Sequence, residues 1–142
     1  MPLQGEERKL ALIESVAAMA EGAKGEALSR VIRQFYAHVP PEDLLSREQR
    51  DLFGAAKSLW EFAQRRKPGT ATLRVFNPRE AEEGWHSPRT IVEIVNDDMP
   101  FLVDSVTAAL NNIDLIVHLV IHPIFRVKRD GKGKVAELLD GD

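Results

Sequence analysis

Residues Ile91-Val92-Glu93-Ile94-Val95-Asn96-Asp97-Asp98-Met99-Pro100-Phe101-Leu102-Val103-Asp104-Ser105-Val106 decide the fold. An apolar run stops at an acidic turn, a proline follows, and an amphipathic stretch begins at once. A longer apolar run, Leu115 to Val127, comes directly after it. This pattern predicts a strand over 90–96, a helix over 100–113 and a strand over 115–128. Pro100 suits the first helical turn, where its missing N–H is not needed, and Asp98 or Asp97 is placed to cap the helix. Leu102, Val103, Val106, Ala109, Leu110 and Ile113 form the face expected to be buried. Strand 90–96 has apolar residues on both faces, which predicts a place inside a sheet.

In the long run, Leu115, Val117, Leu119, Ile121, Phe125 and Val127 share one face, expected to meet helices. Ile116, His118, Val120, His122, Ile124, Arg126 and Lys128 share the other, which is mixed and expected to be half-exposed or at an interface. Pro123 cannot donate to a ladder, so this strand is an edge or carries a bulge. Arg129-Asp130-Gly131-Lys132 reads as a hairpin turn, with Val135 to Leu139 returning.

Upstream the period is helical. Leu12, Ile13, Val16, Met19, Ala20 and Ala23 make one stripe between residues 6 and 23, and Leu28, Val31, Ile32, Phe35, Tyr36 and Val39 make a second. Pro40-Pro41 stops the second helix. Ser46-Arg47-Glu48-Gln49 has the spacing of a capping box for a third, in which the Ser46 hydroxyl accepts from the Gln49 N–H. Its apolar face is Leu52, Ala56, Leu59, Trp60 and Ala63. Arg65-Arg66-Lys67 then fits a last helical turn, with binding of a phosphate or an acid as the alternative. After Pro68-Gly69 the period falls to two, and Ala71, Leu73 and Val75 alternate with Thr72, Arg74 and Phe76 in a half-buried strand.

The expected fold class is therefore α+β: a helical segment over 1–68 and an α/β module over 69–142. Strands 70–77, 90–96 and 115–128 are expected in one antiparallel sheet with helix 100–113 packed on it. A further helix and strand would be expected after the hairpin, so the chain reads as a fragment of a longer protein, cut inside or just after a sheet.

Composition narrows the function classes. The chain has 142 residues, about one domain, with ordinary hydrophobic and charged content. A net charge of −3 argues against general nucleic-acid binding, which needs a basic stripe. There is no cysteine, hence no disulfide framework, thiolate nucleophile or Cys-type zinc site, which fits a cytoplasmic protein. The charged start does not resemble a signal peptide, and no apolar run approaches the ~20 residues that span a membrane.

Catalytic side chains do not assemble into a known set. His118 and His122 are four apart on a strand, about 13 Å, too far to share one metal ion; a pH-linked interface is the remaining role for them. Asp97 and Asp98 are adjacent at a strand end and point apart, which disfavours a paired-carboxylate mechanism. Their roles reduce to helix capping or contact with an effector or partner. There is no G-x-G-x-x-G, P-loop or G-x-S-x-G. Trp60 reads as core. Trp85, in the loop Glu83-Gly84-Trp85-His86, reads as more exposed and available for contact.

Two motifs carry a resemblance. Val95 to Val106, followed by His118-Leu119-Val120-Ile121-His122-Pro123, resembles the N-terminal region of the large bacterial NAD-specific glutamate dehydrogenases. Phe35-Tyr36-Ala37-His38-Val39-Pro40-Pro41-Glu42-Asp43-Leu44 resembles that family's helical leader. The resemblance covers about residues 28 to 135. It implies a leader followed by the first of several ACT-like modules, with strand 90–96, helix 100–113 and strand 115–128 as its opening elements. It also places the NAD-binding and catalytic residues far downstream, so this chain is expected to hold no catalytic, cofactor-binding or metal-binding residue. The implied parent oxidatively deaminates glutamate with NAD.

Amino-acid-binding ACT domains resemble Asp-Arg-Pro-Gly-Leu-Leu at the helix entry. Asp98, Pro100 and Leu102 match, but Phe101 replaces the glycine that lets a ligand approach the backbone. A second glycine position aligns with Asp114. Both changes favour packing or domain docking at Asp97, Asp98, Met99, Pro100 and Phe101. The expected partners are the rest of the parent polypeptide and further copies in a homo-oligomer, with an amino-acid effector as the alternative and neither nucleic acid nor membrane. The competing reading is a stand-alone ACT-like module that senses an amino acid; a small enzyme is a third, weaker one.

Overall fold

A computed structural model describes residues 2–22 and 25–139, with side chains from Gln4 onward. Ala23 and Asp140-Gly141-Asp142 lie outside the described residues. Four helices come first: α1 (Pro2–Ala17), α2 (Gly25–Tyr36), α3 (Pro41–Leu45) and α4 (Gln49–Ala63). They pack around Ile13, Val16, Ile32, Tyr36, Leu44 and Leu52, all buried. These come from the predicted stripes, so helical periodicity alone located the core. Tyr36 fixes α2 against α4, because its hydroxyl donates to the Leu52 carbonyl in the buried centre. Lys9, only 5% exposed, donates to the Ala37 carbonyl at 2.8 Å and closes the turn after α2.

The helix ends differ from expectation. Ser46 is the C-cap of α3, and its hydroxyl donates to the Glu42 carbonyl at 3.3 Å. The N-cap of α4 is Glu48, with no side-chain cap bond. The capping-box spacing was present, but Pro41 starts a short helix that claims Ser46 first. Arg65-Arg66-Lys67 likewise lies beyond α4, which stops at Ala63.

The second half contains β1 (Thr72–Phe76), α5 (Glu80–Glu83), β2 (Ile91–Val95), α6 (Leu102–Asn112), β3 (Val127–Arg129) and β4 (Val135–Leu138). The class is α+β with antiparallel pairing, consistent with an ACT-like module. In place of one sheet there are two ribbons, β1–β2 and β3–β4. β2 pairs only with β1 and is not interior. Residues 115–126 are extended but unpaired, so the expected long strand survives as β3 alone.

The inward face of β1–β2 is also unexpected. Arg74 and Phe76 are half-buried, while Leu73 and Val75 are 61% and 60% exposed. The polar partner of the alternation turned inward because Arg74 lies opposite Glu93, which is only 5% exposed. Helix α6 has no fully buried residue. Its predicted stripe is half-buried at Leu102, Val103, Val106 and Leu110, whereas Ile113 is 66% exposed.

Candidate functional site

The acid–proline turn is a structural clasp. Arg66, with a side chain 9% exposed, donates through Nη2 to the Asp97 carboxylate and through Nη1 to the Thr70 carbonyl at 2.6 Å. Its backbone N–H donates to the Gly133 carbonyl at 3.0 Å. Gly133 sits against Arg66 so closely that a Cβ there would lie 2.2 Å from the Arg66 carbonyl oxygen, and its φ of +81° suits glycine. One arginine thus joins the end of α4, the turn after β2 and the β3–β4 hairpin. The acid answered by the basic triplet is one of the chain's own. Arg129 completes the group by donating to Gly133 O at 2.8 Å. Burial and then the Arg66 charge lower the Arg129 pKa, against the pull of Asp97.

Asp97 and Asp98 do not cap the next helix. The N-cap of α6 is Phe101, with φ +65° and no side-chain cap bond, and the helix begins at Leu102. Phe101 does not fill a pocket either; it is 76% exposed beside Met99 at 49%. Among the described residues, the non-glycine positions with positive φ are Phe101 and Asp114. These are the two places where amino-acid-binding ACT domains resemble glycine. The left-handed backbone is kept, and a side chain stands where a ligand would approach it.

A second cluster was not singled out by sequence. Glu93 accepts from Arg74 Nε at 2.8 Å and from Ser58 Oγ at 2.9 Å, and Arg74 Nη2 donates to Ser58 Oγ at 2.6 Å. The guanidinium also lies 4.2 Å from the Phe76 ring centroid. This network fastens the β1–β2 ribbon to α4. The cross-strand pairing of Arg74 with Glu93 was a usable signal, had the register been known.

Beside the network lies a shallow cleft of about 290 Å³, lined by residues that include Ser58, Glu61, Arg74, Glu83 and Trp85. Its guanidinium is held by Glu93 and its rim carries Glu61 and Glu83, so the cleft does not suit the pyrophosphate of a dinucleotide. Trp85 is not an exposed contact residue: it is 4% exposed and meets Phe76 edge to face at 6.1 Å. Gly84, at φ +79°, ends α5 and turns the indole inward.

The extended segment 115–126 lies over the helices in the predicted register. Leu119, Ile121 and Phe125 pack on the helical core, and Phe125 meets Trp60 at 6.2 Å. His118 and His122 are exposed on the other face. Arg89 donates to His118 Nε2 at 3.0 Å, so that ring nitrogen accepts. No group of three or more His, Cys, Asp or Glu among the described residues could hold a metal ion, and no helix among them is long and apolar enough to cross a membrane.

A family model described as "Glutamate dehydrogenase, ACT1 domain" matches residues 31–142. The NAD-specific glutamate dehydrogenase of Halomonas elongata is 43% identical over 101 residues, covering 71% of this chain and 6% of that protein. The protein of the same name from Pseudomonas aeruginosa is 34% identical over 125 residues, covering 86% of this chain and 8% of its own. The chain spans less than a tenth of the length of the curated relatives it matches. No solved structure matches it.

Proposed function

The chain belongs to the glutamate dehydrogenase ACT1-domain family, and from that premise we propose that it is a non-catalytic regulatory and assembly segment of a large NAD-dependent dehydrogenase. The parent enzyme would convert L-glutamate, NAD and water to 2-oxoglutarate, ammonia, NADH and a proton in the cytoplasm. NAD would supply the hydride acceptor in the downstream catalytic region. In this reading the chain divides near Gly69 into a helical leader and the ACT-like module, and its task is contact with the rest of the polypeptide and with other copies.

The observation that carries the reading is Phe101. It occupies a left-handed backbone position that costs a bulky residue about 1–2 kcal/mol, yet it is 76% exposed. Folding of this chain gains little from such a side chain. A docking knob would explain it, since strained positions gather at functional sites. The clasp of Arg66 on Asp97 holds the turn that presents it. Asp98, Met99 and Pro100 complete the proposed docking tip.

The test has two parts. NADH fluorescence should show no saturable binding to this chain, and a micromolar site would overturn the non-catalytic assignment. In the full-length enzyme, Phe101→Glu should change the assembly state in sedimentation or the response of rate to effectors. An unchanged assembly and rate law would refute docking. An amino-acid-induced rise in Tm of this chain, lost in Asp97→Ala, would establish the sensing module instead.

A further inference from the structure

We propose that residues 114–126 form the seam of a symmetric dimer, pairing antiparallel with the same segment of a second copy about an axis through Val120. The proposal rests on the assembly role above and specifies the surface that performs it.

The segment is a preformed strand without a ladder. Its inner face is seated on the helical core through Leu119, Ile121 and Phe125. Among the described residues, positions 116–125 make no backbone–backbone hydrogen bond. The Gln34 side-chain amide donates to the Ile124 carbonyl, which helps hold the strand on α2 without occupying a ladder. An extended, unpaired edge is a template for another strand. Its outer face is apolar where exposure is high: Ile116 is 77% exposed, Val120 47% and Ile124 50%.

The order of side chains selects the occupant. Read outward from Val120, the outer face is His118 and Ile116 in one direction, and His122 and Ile124 in the other. Antiparallel pairing of two copies about Val120 sets residues whose numbers sum to 240 opposite each other. Val120 then meets Val120, His118 meets His122, and Ile116 meets Ile124. The next pair outward sets Asp114 of each copy opposite Arg126 of the other, an acid against a base at both ends. A two-fold interface requires this reciprocity, in which residue i meets j and j meets i. A strand from elsewhere in a longer polypeptide, or from an unrelated protein, would impose no such order on this face. The second copy is therefore the occupant that the sequence of the edge fits.

The absence of cysteine in the chain makes the test direct. Two Val120→Cys chains would place their Cα atoms about 4.5–5.5 Å apart across the axis, within reach of a disulfide. Mild oxidation should link V120C to itself. I116C should not link to itself but should link to I124C when the two are mixed. Sedimentation of the unmodified chain should show a concentration-dependent monomer–dimer equilibrium. Asp114→Arg and Arg126→Asp should each weaken it by about threefold to tenfold, and the double exchange should restore it. Val120→Lys should be monomeric with an unchanged circular dichroism spectrum, since its side chain is on the outer face.

A chain that stays monomeric at high concentration, with V120C left reduced, would remove both this seam and self-assembly through this segment. A dimer that cross-links through I116C alone as readily as through V120C would remove the seam and leave the assembly role standing. In the full-length enzyme, V120C protected from both modification and cross-linking would assign the edge to another strand of the same polypeptide and overturn the proposal.

Discussion

The packing of Trp85 over Gly54 yields a substitution whose sign opposes helix propensity. Gly54 lies within α4, where glycine is worse than alanine by about 1 kcal/mol. Propensity alone would make Gly54→Ala stabilising. A Cβ at position 54, however, would lie 2.1 Å from Trp85 Cγ and 2.5 Å from its Cβ and Cδ1. No rotamer shift of a methyl group relieves that contact, so the indole has to move. Trp85 is tied nearby, because the His86 N–H donates to Asp51 Oδ1 at 2.8 Å. Full expulsion of a buried tryptophan costs about 3–5 kcal/mol, on the scale of deleting it. Subtracting the helix gain leaves a net loss of about 2–4 kcal/mol. Urea denaturation of Gly54→Ala followed by circular dichroism measures this, and indole emission, with Trp85→Phe subtracting the Trp60 signal, should shift to the red. In a Trp85→Ala background the same substitution should turn stabilising by about 1 kcal/mol. A Gly54→Ala chain as stable as the parent would refute the interlock of α4 with the loop after α5.

Four further outcomes are expected. Burial raises the phenol pKa of Tyr36, the chain's one tyrosine. Its contribution to stability is present below the unfolded value near 10 and is lost as pH rises above it, so phenolate absorbance should appear only as the chain unfolds. The Asp130 carboxylate is held below its ordinary range, first by the Lys132 and then by the Lys134 backbone N–H. Its contribution is present above the unfolded value and lost as pH falls through the folded one, and an NMR titration of Asp130 should track the fraying of β3–β4. Phe101→Gly should raise stability by about 0.5–1 kcal/mol in thermal melts, the relief of left-handed strain exceeding the entropy lost by glycine. Asp97→Ala should cost about 1 kcal/mol by depriving Arg66 of its carboxylate, while the exposed Asp98→Ala should stay within about 0.5 kcal/mol of the parent.

Local chemistry predicts the parts of this chain governed by one segment at a time. The stripes of α1, α2 and α4 are apolar at helical spacing, and the same residues are buried. The hairpin turn at Asp130 needed only a carboxylate able to accept from Lys132 N at 2.8 Å and Lys134 N at 3.1 Å. Errors begin where two segments compete for one residue. Ser46 could serve α3 or α4, and its spacing to Gln49 does not reveal that Pro41 starts an earlier helix. Trp85 is another case. Its neighbours Glu83, Gly84 and His86 read as surface, but its burial depends on a glycine at position 54, thirty-one places upstream. The cluster at Glu93 was missed for a similar reason. A lone glutamate between Val92 and Ile94 is unremarkable until the register sets it opposite Arg74 and under Ser58.

The acid–proline turn shows how a family pattern and a physical pattern can diverge at one site. Asp98 and Pro100 match the helix entry of amino-acid-binding ACT domains, and capping chemistry alone would assign an acid there to the helix N-terminus. The backbone instead keeps the two left-handed positions and gives Asp97 to Arg66. If the turn had been retained to bind a small ligand, glycine at 101 and 114 would satisfy the same dihedral angles without strain. A phenylalanine and an aspartate stand there, one in the proposed docking tip and the other at the end of the proposed dimer seam. The strain at both positions is then explained by contacts outside the chain. The stability gained by Phe101→Gly in this chain should accordingly be matched by a loss of docking in the full-length enzyme. A variant that gained the one without losing the other would show that the phenylalanine has no task in docking.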